Sequence, residues 1–281
     1  MSKDSQEPRE FRAACLQIDV QHGDVAANLE AAKKSLANAA ADRVELAVLP
    51  ELWTTSFVPD VTDELLAASL AAEDEIVRLA AEYDMMIVSG GIEKDQGKIF
   101  NRAIVVDRGE IIGRYRKIHL FTPYSEQRLL TPGNAPLILD TRFGRLGVII
   151  CYDIRFPELV RYYFLQQVEI LAVPAQWPEA RALHWRTLLQ ARAIENEFFV
   201  LGCNRLGQEL SQRTNEAMVF PGDSRIIDPM GEVLAAGAGD PDPLIADIEL
   251  RKCKTMRRIL PIHKDRQPEI YMEIWKDLLP D

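Results

Sequence analysis

The chain runs to 281 residues, 47% hydrophobic and 27% charged, with a formal net charge of −10. That composition supports a sizeable buried core and excludes intrinsic disorder, collagen-like repeats and disulfide-rich scaffolds. A negative body repels phosphate backbones, which argues against nucleic acid as a partner, and no apolar run approaches the ~18 residues of a membrane span.

The first ten residues, MSKDSQEPRE, carry no apolar stretch and read as a flexible N-terminus rather than a secretory signal. FRAACLQIDV (11–20) is strand-like, and an Asp/Gly turn leads into an Ala-rich helix around 24–42. VELAVLPE (44–51) is a short apolar run ending in a carboxylate, and a helix near 73–84 precedes the strand-like MMIVSGGIEK (85–94). NRAIVVDRGEIIGRYRKIHL (101–120) reads as a hairpin turning at Asp-Arg-Gly. PLILDT and RLGVIICYD (145–153) come next, then a helix from about 156 to 166, VEILAVPAQW (168–177), a helix about 180–196 and FFVLGCNRLG (198–207). DSRIIDP, GEVLAA, PLIADIEL and a short amphipathic helix near 268–279 close the sequence. The Gly/Pro-rich piece AAGAGDPDPL (235–244) is too short to separate domains, so a single domain over 1–281 is expected. Interleaved strands and helices give an α/β class, and the hairpins predict mixed rather than purely parallel sheets.

Four cysteines, Cys15, Cys151, Cys203 and Cys253, lie far apart with no C-x-x-C pair. This argues against a zinc ribbon or dithiol site and suits a reducing cytoplasm. A cysteine in such a protein is most often a small buried side chain, the reading given to Cys15 and Cys203 inside their strand-like runs. Cys151 differs. It ends the apolar run LGVII, and Pro157 suits the first turn of a helix starting a few residues later. A strand-to-helix turn lifts a side chain out of a sheet, and a nearby helix N-terminus is expected to favour thiolate.

A thiol that attacks a carbonyl needs a base. Of the four histidines, His22 falls in a turn and His263 in a Pro-flanked loop, while His119 sits two residues beyond Lys117 and reads as a hydrogen-bonded support. The alternative is a carboxylate. Glu51 ends the run VELAVLP, where removal from water would make it a readier proton acceptor. Lys117 ends IIGRYRK. A lone Glu or Lys at a strand end is usually a solvated charge. Three such residues, each ending its own strand, mark a site, because ligands of α/β sheets bind at those ends.

LAVLPELW, YRKIHLF and GVIICYDIRFPE resemble the three signatures of the nitrilase superfamily, the carbon–nitrogen hydrolases, in that family's Glu, Lys, Cys order. The resemblance runs from about 11 to 272, and CYDIRFPE with the HW…ARAIEN segment is most similar to the omega-amidase branch. It implies that Glu51 is the general base, Lys117 the electrostatic stabiliser and Cys151 the nucleophile. Glu126, before the Thr-Pro-Gly turn, would be the additional glutamate, and the Tyr152 backbone N–H would join Lys117 as oxyanion donor.

Arg155, four residues beyond the thiol, either clamps a substrate carboxylate or pairs structurally with Glu158 or Asp153. Trp177 and Tyr124 are candidates for the pocket wall, against the alternative of core. The implied substrate is a small carboxamide such as a dicarboxylic mono-amide. N-carbamoyl hydrolysis and nitrile hydrolysis are the alternatives with the same triad, and a catalytically silent binding protein is a further one. The implied fold is a four-layer α-β-β-α sandwich of two mixed sheets, forming a homodimer or higher homo-oligomer, with the tail 252–281 packing on a neighbouring subunit. No metal and no cofactor is expected, since no Gly-rich phosphate loop or ligand cluster is present.

Overall fold

The computed structural model describes residues 10–210 and 216–276. In chain order the first half holds β1 (Glu10–Cys15), α1 (Val25–Ala41), β2 (Leu46–Val48), α2 (Asp63–Glu82), β3 (Met86–Asp95), β4 (Lys98–Asp107) and β5 (Glu110–Arg116). The second half holds β6 (Leu137–Thr141), β7 (Gly144–Val148), α3 (Pro157–Leu165), β8 (Ile170–Ala175), α4 (Ala182–Asn196), β9 (Phe199–Asn204) and β10 (Leu206–Leu210). After them come β11 (Ala217–Ile227), β12 (Val233–Ala238), β13 (Leu244–Glu249), α5 (Arg251–Ile259), α6 (Ile262–Asp265) and α7 (Pro268–Lys276).

The strands form two mixed sheets. One has the order β13-β1-β2-β3-β4-β5; the other runs β10-β11-β9-β8-β7-β6, with β12 paired to β11. In each, a parallel core is flanked by antiparallel strands: β1, β2 and β3 in the first, β7, β8 and β9 in the second. Side-chain alternation decides the layering. On β1, Phe11, Ala13 and Cys15 join the large core shared by both sheets, whereas Ala14 joins the core beneath α1 and α2. Met86 and Val88 of β3 face the same inter-sheet core, while Ile87 packs with Leu36 of α1 and Ile76 of α2. With α3 and α4 covering the second sheet, the expected α-β-β-α sandwich is observed.

Three boundaries differ from the sequence reading. The helix read at 73–84 begins ten residues earlier, at Asp63, because Thr62 Oγ1 accepts the Leu65 N–H (3.2 Å) and Asp63 and Glu64 favour a helix start. β1 stops at Cys15, and the chain continues irregularly, with Leu16, Gln17, Ile18 and Val20 buried. β12 runs to Ala238, so the loop read over 235–244 is shorter. The hairpin of β4 and β5 turns at Arg108 (φ 52°) and Gly109 (φ 87°), the two left-handed residues that its tight turn requires. Within the C-terminal helix read at 268–279, residues up to 276 are described; 277–281 and the N-terminal 1–9 lie outside the described residues. Among the described residues no helix is long and apolar enough to cross a membrane.

Candidate active site

The candidate site forms where the carboxyl ends of β2, β7 and β8 meet the end of β5. Glu51 lies three residues past β2, in a turn pressed against β3. A Cβ at Gly90 would fall 2.3 Å from the Pro50 carbonyl oxygen and 2.8 Å from Glu51 Cα, so the turn can come this close only over glycine. Lys117 directly follows β5. The loop carrying Gly133 packs on it, donating the Gly133 N–H to the Lys117 carbonyl (2.8 Å) at a place where a side chain would strike Arg116.

Lys117, at 1% exposure, lies between two buried carboxylates. Its Nζ donates to Glu51 Oε1 at 2.7 Å and to Glu126 Oε1 and Oε2 at 2.9 and 3.0 Å. Burial pulls the lysine's pKa down, but Glu126 and Glu51 outweigh it and hold the ammonium above its ordinary value. Burial pushes the Glu126 carboxyl up, against the pull of Lys117 and the Phe121 N–H. Glu51 receives two further donors, Asn101 Nδ2 at 2.7 Å and the Gln176 N–H at 2.9 Å, which fix both of its oxygens.

Cys151 opens a 3₁₀ turn, Cys151–Arg155, between β7 and α3. Its φ of 46° places it in the left-handed region, the strained conformation of a nucleophile elbow. Asp153 holds this turn. It accepts from the Ile150 N–H (3.0 Å), the Tyr115 hydroxyl (2.7 Å) and the His119 N–H (2.8 Å), and its Oδ1 lies 2.8 Å from His119 Nδ1. His119, stacked on Phe156, is therefore a support of the turn, as expected. Sγ contacts the Gln176 carbonyl at 3.8 Å.

The expected lowering of the Cys151 pKa is outweighed. Burial first, and then the charge of Glu51, push the Cys151 thiol well above its ordinary pKa, and Lys117 offsets this only in part. The α-helix begins at Pro157, where the sequence places it, with a 3₁₀ turn between it and the thiol.

Above the thiol opens a pocket of about 350 Å³, counting its mouth, walled by Phe57, Phe121, Tyr124, Tyr152 and Trp177. Glu126, Arg155 and Arg181 also line it. Neither structural partner considered for Arg155 is taken. Asp153 is committed elsewhere, and among the described residues Arg155 has no ion pair. It lies over the Trp177 ring (4.7 Å) with Nη2 3.1 Å from His184 Nδ1. Arg181, over Phe121 at 5.5 Å, likewise lacks an acidic partner among the described residues. A thiol, a carboxylate and an ammonium gathered beneath an aromatic pocket suit acyl transfer from a small carbonyl compound.

The sequence pattern of the carbon-nitrogen hydrolase family matches residues 12–258. The chain belongs to this family. The 2-oxoglutaramate amidase of Bacillus subtilis (strain 168) is 34% identical over 261 residues, 92% of this chain and 98% of that protein. The omega-amidase YafV of Escherichia coli (strain K12) is 33% identical over 227 residues, 79% of this chain and 84% of that protein. Among solved structures, a carbon-nitrogen hydrolase from Helicobacter pylori G27 superposes with a TM-score of 0.86 at 26% identity, covering 98% of this chain and 99% of that one. The chain is an amidase of the nitrilase superfamily, an enzyme that hydrolyses C–N bonds in amides.

In this carbon–nitrogen hydrolase, the structure gathers Glu51, Lys117, Glu126 and Cys151 at one point, with Tyr152, Arg155, Trp177 and Tyr124 around the pocket. Sequence reasoning missed Asn101, Gln176 and Arg181. Gln176 directly follows β8, so the strand-end rule that marked the other residues would have found it. Asn101 sits inside β4 and Arg181 in a short 3₁₀ turn, Glu179–Arg181, where no local pattern distinguishes them.

Proposed function

We propose that the chain is an omega-amidase that hydrolyses short mono-amides of dicarboxylic acids, such as 2-oxoglutaramate, 2-oxosuccinamate or succinamate, through a thioester on Cys151. Glu51 takes the thiol proton as Sγ bonds to the amide carbon. The resulting oxyanion is met by Lys117 and the Tyr152 backbone N–H. Of the three ammonium N–H groups, one is held by Glu51 and one is shared between the Glu126 oxygens, which leaves a third for the oxyanion. Collapse breaks the C–N bond, and Glu51 returns the proton so that ammonia leaves. A water deprotonated by Glu51 then attacks the thioester, freeing the acid and restoring the thiol. Glu126 keeps Lys117 in place throughout.

The observation that carries the substrate reading is the guanidinium of Arg155, which has no ion pair among the described residues, lies over the Trp177 ring and lines the same pocket as Cys151. Arg181 adds a second cation to that pocket. A planar fork with no acidic partner among the described residues suits a substrate carboxylate, and its fixed distance from the thiol selects chain length as well as charge. The names of the Bacillus and Escherichia relatives support the same class.

The test compares ammonia release from a mono-amide acid and from its methyl ester, in wild type and in Arg155→Lys. The wild type favours the free acid, and the variant loses roughly thirtyfold to several-thousandfold of that preference. An equal preference in both proteins overturns the assignment.

The free, buried cysteines accord with a reducing compartment, for which we propose the cytoplasm. On α7, Ile270, Met272, Ile274 and Trp275 are all exposed, which supports this tail as a contact between two copies of the chain. Analytical ultracentrifugation of Ile274→Glu checks it, with a monomer expected.

A further inference from the structure

We propose that Arg205 is a positioning residue for the amidase reaction, acting through Gln176 on both Glu51 and Cys151; this rests on the roles given to those two residues above. Arg205 is fully buried at the β9–β10 turn, outside the pocket. Its Nη1 donates to Gln176 Oε1 (3.1 Å), Ser56 Oγ (3.0 Å) and Glu209 Oε2 (2.8 Å), while Nε donates to the Leu206 carbonyl (2.9 Å) and Nη2 to that of Val20. Glu209 supplies the counter-charge without which a guanidinium would not stay in so dry a place.

Gln176 is where this cluster meets the chemistry. Its side-chain oxygen faces Arg205 and Ser56, so its amide nitrogen turns the other way and donates to the Glu51 carbonyl (2.8 Å). Its own backbone N–H reaches Glu51 Oε2, and its backbone carbonyl contacts Cys151 Sγ. One residue thus touches the acceptor and the thiol between which the proton moves. Flipping its amide would set an NH₂ group against the Arg205 cation, and the charge therefore selects the working orientation.

The cluster also bridges the sheets. Ser56 ends the Glu51 turn of the first sheet, whereas Gln176, Arg205 and Glu209 belong to the second. That turn carries two non-glycine residues in the left-handed region, Leu52 (φ 42°) and Ser56 (φ 57°), and needs outside contacts to hold its shape. A sub-ångström slip of Glu51 relative to Cys151 is enough to slow proton transfer.

The experiment measures kcat and KM on an uncharged amide, together with the rate of Cys151 alkylation by iodoacetamide. Both rates are normalised to the number of titratable Cys151 sites. Arg205→Met is expected to lower kcat and alkylation per site by roughly tenfold to a hundredfold with KM nearly unchanged. Arg205→Lys, which keeps the charge but not the planar fork, recovers part of the loss. A merely structural arginine would instead lower the melting temperature and the number of titratable sites while the rate per site stayed at the wild-type value, and that result overturns the proposal. Should Arg205→Met fail to fold, Ser56→Ala removes one donor to Gln176 and leaves Arg205 in place. A severalfold fall per site is then expected, and an unchanged rate counts against the inference. Glu51→Gln, run in parallel, separates the two readings. If it leaves alkylation unslowed, the role of Glu51 itself fails; if it slows alkylation and Arg205→Met does not, only the role of Arg205 fails.

Discussion

Replacing Lys117 with Met removes the one cation set between Glu51 and Glu126 and leaves a side chain of similar volume. The lysine and Glu51 side chains are 0% exposed and that of Glu126 is 3% exposed, with contacts of 2.7 and 2.9 Å. At an effective dielectric of ~20, each contact is worth about 6 kcal/mol before desolvation, which cancels much of it. Breaking a buried pair by removing one partner typically costs about 3–5 kcal/mol, because the other charge stays buried, and here two carboxylates are left facing each other. In a chain of this size that is a fall in melting temperature on the order of 10 °C. The sign of its pH dependence follows from Glu126. Burial already raises its carboxyl in the folded state, and loss of the ammonium raises it further. A carboxyl raised on folding contributes stability below its unfolded pKa and loses it as pH rises through the folded value. The deficit of Lys117→Met is therefore largest near about pH 8 and shrinks toward about pH 5. Urea unfolding of wild type and variant at both pH values measures it, and Glu126→Gln, which leaves Lys117 on Glu51, should lose less. If Lys117→Met unfolds within about 1 kcal/mol of wild type at pH 8, or its deficit is the same at both pH values, the lysine is not neutralising two buried charges.

Cys151→Ala should abolish ammonia release with stability within about 1 kcal/mol of wild type, whereas Cys15→Ala, a truncation in the inter-sheet core, should lose about 1–2 kcal/mol and keep its activity per folded molecule. Residual turnover above about a thousandth in the first variant, measured by coupled ammonia assay, counts against Cys151 as nucleophile. Gly90→Ala should push the Glu51 turn away from β3, lowering both the melting temperature and kcat; wild-type values in both would show that the turn tolerates the added methyl.

Much of the fold was legible because each parallel strand alternates two apolar faces, and the strand ends announced where Glu51, Lys117 and Cys151 would converge. What the sequence hid depends on partners distant in the chain. The start of α2 rests on a cap at Thr62 ahead of a polar turn, so hydrophobic periodicity alone began the helix too late. The ionisation of Cys151 was misjudged for the same reason. A helix end is visible in sequence, whereas the burial that opposes it comes from the packed fold and the Glu51 charge from the turn after β2. Arg155 could not be decided from its neighbours, because what matters is that Asp153, two residues away, is engaged by Tyr115, Ile150 and His119. Gln176 needed the pairing of β8 beside β7, and the packing of the two sheets, before its backbone contacts to Cys151 and Glu51 could be foreseen.

A thiol that rests protonated changes what Glu51 must do. Its charge is one of the causes that hold the Cys151 thiol above its ordinary value. If that carboxylate were a bystander, Glu51→Gln would relieve the thiol, increase the thiolate fraction and speed alkylation by iodoacetamide. If it is the base, the same substitution removes the acceptor, and alkylation slows even though the thiol itself has become easier to ionise. The two roles thus predict opposite signs for one measurement, with no reliance on the size of any effect. The pH dependence adds a second mark. With the base in place, the proton passes to Glu51 as sulfur attacks, so the rate should be nearly flat from about pH 6 to 8. Without it, reaction waits on free thiolate, and the rate should climb roughly tenfold per pH unit over the same span. Intact-protein mass spectrometry, following carbamidomethylation at Cys151 over time, measures both. A faster reaction in Glu51→Gln, or the same steep climb in wild type and variant, would remove Glu51 from the proton's path and leave it only the task of holding Lys117.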